Sequence, residues 1–207
     1  MAGFLTSSAA ELDAFIQSSH YYVLPWLIVM AALWVFNIID WVVFRSRLRI
    51  FGIYPRHLAG LPGILFSPFI HQNFNHLFFN SIPLFALGLI ILTRGAEQFI
   101  FISVFIILVE GLAVWLIGRR AIHIGASGLV SGYFGYLIAT AYLSPSFTSI
   151  IVGMLVVYYF GAIFWGIFPQ EDKISWESHL YGFLAGILSA FIPVTKIVSM
   201  VIPSRLM

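Results

Sequence analysis

The sequence predicts an all-α membrane protein, a six-transmembrane-helix bundle with a long interfacial first loop. Two observations carry this. Of the 207 residues, 61% are hydrophobic and 9% charged, whereas soluble domains run at about 45–50% apolar and about 25% charged. The apolar residues also gather into stretches close to the roughly 20 that a spanning helix needs. A net charge of +2, scattered along the chain, gives no basic patch for nucleic acid. With no cysteine, disulfides and thiolate metal sites are excluded. The six Trp and nine Tyr suit membrane–water interfaces. No basic start precedes an apolar run, so no cleavable signal is expected and the spans themselves drive insertion. The surroundings are then the lipid bilayer of the cell membrane, crossed several times.

Taken in order, residues 1–20 read as an N-terminal arm, 21–195 as the six-helix domain and 196–207 as a C-terminal tail. Residues 21–44 form the first span, with Asn37 and Asp40 near its far end. Residues 45–75 carry Arg45, Arg47, Arg49 and Arg56 with Pro55, Pro62 and Pro68, but are apolar between them. That mixture predicts a structured loop with short helical pieces lying in the interface. The remaining spans are 76–93, 97–118 with Glu110 inside, 127–143, 147–168 and 176–194. The fifth is the most uniformly apolar and is expected to face lipid.

Polar residues inside spans are costly, so the few present are informative. Gly125-Ala126-Ser127-Gly128 puts a serine where a polar loop enters a helix. Backbone N–H groups lack partners there and can stabilise a developing negative charge. His76 and Asn80 are four apart on the second span and share a face. On the sixth, Gly182 and Gly186 lie near the face of His179, at i+3 and i+7; on the fourth, Ser127, Ser131 and Gly135 form a matching small-residue stripe. Small faces let helices approach closely, and such packing brings Ser127 to His179. An imidazole can take the proton of a serine hydroxyl, which is otherwise a weak nucleophile. His76 and Asn80 can donate to an oxyanion, with Gly125 and Gly128 of the same loop on the oxyanion or substrate side. Glu177 points elsewhere on its helix, leaving a Ser-His dyad. The plainer readings are a packing serine, a satisfied buried histidine, or a metal on His71 and His76, whose i, i+5 spacing suits a shared site poorly. His71, Asp40 and Glu110 are expected to be structural, and His57 and His123 to be exposed loop histidines.

Three motifs in order then resemble the rhomboid intramembrane serine proteases: Gly125-Ala126-Ser127-Gly128, His71-x4-His76-x3-Asn80 and His179-x2-Gly182-x3-Gly186. The resemblance spans roughly residues 21–195. It implies that Ser127 and His179 are catalytic, that His76 and Asn80 serve the oxyanion, and that no cofactor or metal is used. It implies substrates that are transmembrane proteins, cut near the bilayer surface, with small side chains before the cut and a fifth helix that moves aside. It also puts the N-terminus in the cytoplasm, although the basic residues divide the other way. There are departures. Ser131 stands where family members often carry an aromatic against the base; so small a residue leaves space, and Ser131→Tyr is expected to be tolerated or to improve turnover by fixing His179. Tyr54-Pro55-Arg56 and Leu61-Pro62-Gly63 replace a Trp-Arg pair, and Leu92 replaces a Glu. Two rivals are a non-catalytic rhomboid-like scaffold that binds membrane clients and a small transporter; polar residues near span ends rather than mid-depth argue against the latter. The motifs leave the oligomeric state unknown.

Overall fold

A backbone in lipid has to satisfy its own N–H and C=O groups, and the long apolar segments of this chain do so as helices. The computed structural model describes residues 2–169 and 175–193. Its helices are α1 (Ala2–Val42), α2 (Gly63–Phe66), α3 (Phe74–Leu92), α4 (Ala96–Ile117), α5 (Ser127–Leu143), α6 (Phe147–Phe160) and α7 (Trp176–Ser189). No strand occurs among the described residues, although one isolated antiparallel bridge joins Ile53 to His123. Among the described residues, four segments are long and apolar enough to cross a membrane: Thr6–Val42, α3, α4 and Phe147–Ile167. The protein is an integral membrane protein. Helices α5 and α7 are shorter, at 17 and 14 residues. The expected tail, 196–207, lies outside the described residues.

Helix α1 has 41 residues, and residues 2–20 are not set apart from it as an arm. Its Glu11 carboxylate accepts the Thr148 N–H (3.4 Å) in the first turn of α6, where the helix dipole favours negative charge. Three of its indoles donate across the bundle: Trp26 to the Phe85 carbonyl (3.0 Å), Trp34 to Ser81 Oγ (3.0 Å) and Trp41 to the His71 carbonyl (2.9 Å). These tryptophans, with Trp115 donating to the His57 carbonyl, are cross-braces rather than simple interfacial anchors. Composition cannot separate the two uses, because both need an apolar ring with one polar edge.

Helix α5 occupies the centre, and Val130 through Leu137 are all buried. Around it stand Leu87 and Ile91 of α3, and Ile102 and Ile106 of α4. Enclosure by protein explains why so central a helix tolerates small and polar residues. Its seam with α7 is made by backbone: a Cβ on Gly182 would strike the Gly128 carbonyl, and one on Gly186 the Gly132 carbonyl. Helix α6 turns Met154, Leu155, Tyr158 and Tyr159 outward and passes into a 3₁₀ segment, Gly161–Ile167.

Residues 43–73, between α1 and α3, fold into short pieces: α2 and the 3₁₀ turns Arg47–Phe51, Leu58–Gly60 and Ser67–Phe69. The Asp40 carboxylate accepts the Leu48 N–H at the start of this stretch (3.1 Å). Asn37 donates to the Phe69 carbonyl (2.9 Å) and accepts from the His71 N–H (2.8 Å) at its end. In between, the Arg56 guanidinium donates to the carbonyls of Gly118 (2.9 Å) and Leu116 (3.2 Å). These carbonyls lie at the C-terminal end of α4, where no further turn can satisfy them.

Candidate active site

The loop 118–126 is held from below before it delivers Ser127. Gly125 has φ +110°, a conformation that side-chain-bearing residues rarely adopt. Its N–H donates to the Ser67 carbonyl (2.8 Å), and the Ala126 N–H donates to His71 Nε2 (3.3 Å). Burial, and then the neighbouring His76, push His71 down to about 3, so its ring is a neutral acceptor at working pH. His71 is thus a strut beneath the loop. Ser127 follows as the first residue of α5, and Ala126 at the N-cap offers no side-chain acceptor. The first-turn N–H groups are left without helical partners.

Helix α3 begins one layer away. Asn73 caps it by accepting the His76 N–H (2.9 Å). His76 Nδ1 accepts from the Gln72 N–H (3.4 Å), which places the proton of the neutral ring on Nε2. That nitrogen lies against Gly125, where a Cβ would come within 2.6 Å of it. Asn80, one turn on, is buried, and its Nδ2 has no hydrogen-bond partner.

Helix α7 is tied to the same loop. Glu177 takes a bidentate pair from Arg119, Nε to Oε1 at 2.6 Å and Nη2 to Oε2 at 3.2 Å, and also accepts the Arg119 N–H. His123 is buried, not an exposed loop histidine. Its Nε2 donates to the Arg119 carbonyl (3.0 Å) and its Nδ1 meets Ser175 Oγ. Burial is the main force lowering its pKa, so Nδ1 is free to accept. Ser175 Oγ lies 2.9 Å from Ser178 Oγ, and Ser178 in turn bonds the Glu110 carboxyl group of α4. No local pattern marks His123 as buried, because Ser175, one of its two partners, lies 52 residues away. His179 presents Nδ1 to the Gly166 carbonyl at 3.0 Å.

These elements enclose a cavity of about 350 Å³ whose lining includes His76, Asn80, His123, Ser127, Ser175 and His179. The structure thus brings Ser127, His179, His76 and Asn80 to one space, although Ser127 and His179 are not hydrogen-bonded to each other. Gly125 borders that space through the His76 ring. Gly128 does not line it: a Cβ there would meet Glu110 Oε1 at 2.7 Å and the Ser178 carbonyl at 3.2 Å. Ser131 does not line it either. It is 1% exposed, so the expected room for a tyrosine beside His179 is absent, and a phenol there would overpack the seam.

A model of the Rhomboid domain matches residues 57–196. An uncharacterized protein of Mycobacterium tuberculosis (strain ATCC 25618 / H37Rv) is 34% identical over 175 residues, covering 80% of this chain and 72% of its own. One from Mycobacterium leprae (strain TN) is 33% identical over 175 residues, covering 80% and 69%.

The chain belongs to the rhomboid family. In this rhomboid the braces of the site come largely from residues that carry no motif. Arg119, Ser175, Ser178 and Gly166 are ordinary in sequence. Only their meeting in space gives them a part in holding the loop and α7 together.

Proposed function

We propose that this rhomboid is an intramembrane serine protease that cuts peptide bonds in or near the transmembrane helices of other membrane proteins. The observation that carries the reading is the Asn80 amide, a buried donor without an acceptor beside the same cavity as Ser127 and His179. Buried polar groups are nearly always paired, and leaving one unpaired costs about 1–3 kcal/mol. Such a donor is understandable where the acceptor arrives with the substrate. The oxyanion of a tetrahedral intermediate is such an acceptor, shared with His76 Nε2–H and the Ser127 N–H.

Ser127 Oγ attacks the scissile carbonyl carbon as His179 Nε2 takes its proton, and the carbonyl oxygen gains the negative charge. Collapse expels the amine, which leaves with the proton from His179. Water then attacks the acyl-enzyme with His179 again as base, releasing the carboxyl product and restoring Ser127. A peptide bond inside a helix is already hydrogen-bonded, so the substrate has to unwind first. Gly and Pro near the cut ease this, costing a helix about 1 and about 3 kcal/mol.

Ser127→Ala and His179→Ala should each abolish cleavage of a transmembrane substrate in proteoliposomes, and together cost no more than either alone. Asn80→Ala should cost about 2.7–4 kcal/mol, the worth of one oxyanion donor. A fluorophosphonate should label wild type and not Ser127→Ala. A folded wild-type protein that neither cleaves nor takes the label would favour the non-catalytic scaffold.

The same reading counts α5 and α7 as spans, for six crossings of the cell membrane with the N-terminus in the cytoplasm. Among the described residues Arg45, Arg47, Arg49, Arg56, Arg119 and Arg120 then face outward, against Arg94 inside, the reverse of the positive-inside tendency; Lys173, Lys196 and Arg205 lie outside the described residues. An interfacial first loop reconciles the two by setting its arginines at lipid headgroups. Single cysteines tested with an impermeant maleimide on intact cells should label at Ala59 and not at Ser7 or Ser144. The opposite pattern would turn the cavity towards the cytoplasm.

A further inference from the structure

We infer that the main-chain carbonyl of Gly166 is a positioning group that fixes the tautomer of His179. This deepens the protease reading and rests on its assignment of Ser127 and His179. No carboxylate takes the third place of a triad among the described residues: Glu177 is engaged by Arg119, and Glu110 lies behind Gly128. The ring nitrogen Nδ1 of His179 instead lies 3.0 Å from Gly166 O. A carbonyl oxygen can only accept, so the bond puts the imidazole proton on Nδ1. That leaves the Nε2 lone pair for the Ser127 hydroxyl, the arrangement that a buried aspartate enforces in other serine proteases. An unrestrained histidine prefers its proton on Nε2, the tautomer that cannot act as base at that nitrogen.

Residue 166 is glycine for a reason of space. It is not in the left-handed region, yet a Cβ there would stand 2.6 Å from His179 Nδ1 and 3.3 Å from Cε1. The ring therefore lies directly against a bare backbone. Gly166 belongs to the 3₁₀ segment Gly161–Ile167, which runs on directly from α6. The orientation of the base is thus set from α6, while the base itself is carried by α7.

The experiment is ¹⁵N NMR of the full chain in detergent micelles, labelled at histidine, with His179→Gln identifying the His179 signals. Wild type should show a protonated Nδ1 and a bare Nε2 at His179. Gly166→Ala should move the ring towards the Nε2–H form. Its kcat on a transmembrane substrate should fall roughly 10- to 100-fold with KM nearly unchanged, as for a lost partner that orients a working histidine. A wild-type His179 carrying its proton on Nε2 overturns the inference, whether or not the variant folds. So does a Gly166→Ala protein with wild-type tautomer and wild-type kcat. The tautomer is read without turnover. An inactive wild type with Nδ1–H at His179 would end the protease reading and leave the hydrogen bond standing, and an active one with Nε2–H would do the reverse.

Discussion

Helices α6 and α7 both lie on α5, but they hold it by different means. Along α7, backbone meets backbone: Gly182 lies against the Gly128 carbonyl, Gly186 against the Gly132 carbonyl, and Gly135 against the Phe183 carbonyl. Along α6 the comparable approach is to a side chain, with Gly153 beside Ala141 Cβ at 2.9 Å from an added Cβ, and most of its large residues are exposed. In lipid the hydrophobic effect does not press helices together, so contact quality decides which pairs stay fixed. The seam carrying Ser127 and His179 is the one closed by backbone carbonyls. On the α6 side a Cβ on Gly153 would meet a single methyl carbon.

The sharpest way to break this contrast is to add one methyl group to each seam. Gly182→Ala and Gly186→Ala should each cost about 3 kcal/mol or more, at the top of the overpacking range, because a backbone carbonyl cannot step aside. Gly153→Ala should cost about 1 kcal/mol, at the bottom of the same range, because a Cβ there would meet one methyl carbon and no carbonyl. Unfolding by SDS titration measures both. Equal losses at the two seams would refute the distinction.

A smaller effect is expected behind the α5–α7 seam. Glu110→Leu leaves Ser178 with Ser175 alone and should destabilise by about 1–3 kcal/mol, the cost of a buried polar group short of a partner. Glu110→Gln keeps a hydrogen-bonding head of similar shape and should fall nearer wild type. The same SDS titration compares them, and a Gln variant as damaged as the Leu variant would refute hydrogen bonding as what Glu110 supplies.

The smallest effect concerns the strut beneath the loop, where pH is the probe. His71 is held at about 3 when folded, against 6.5 for the free side chain. The unfolded chain therefore takes up the proton first. The contribution is complete above about pH 6.5 and declines as pH falls towards about 3, with roughly 1.4 kcal/mol of it lost by pH 5.5. His71→Asn keeps an acceptor for Ala126 and cannot titrate, so its stability should vary less across that window. An identical pH slope in the two proteins would remove His71 from the account.

Ser127, His76, Asn80 and His179 stand out in the sequence, because each is a polar residue at a span end with a helical spacing to a neighbour. The glycine seam is legible for the same reason: period and size are local properties of a sequence. What a sequence hides is whatever depends on a distant partner. His123 looks like a loop histidine until Ser175 and Ile53 close over it. Gly166 looks like one more glycine in an apolar run until His179 is laid against it. The indoles of α1 read as interfacial until their acceptors on α3 and in the loop before it are in place. Helix α1 is longer than its apolar stretch, because its first twenty residues mix polar and apolar side chains. A membrane-length template stops where polarity begins, whereas a helix does not.

That length has a practical consequence. At about 1.5 Å per residue, the 41 residues of α1 extend roughly 60 Å, about twice the hydrocarbon thickness of a bilayer. One end of the helix therefore reaches beyond the hydrocarbon layer. A helical protein fused in phase to it would move as one body with the bundle, and would give electron microscopy an asymmetric landmark by which to align images.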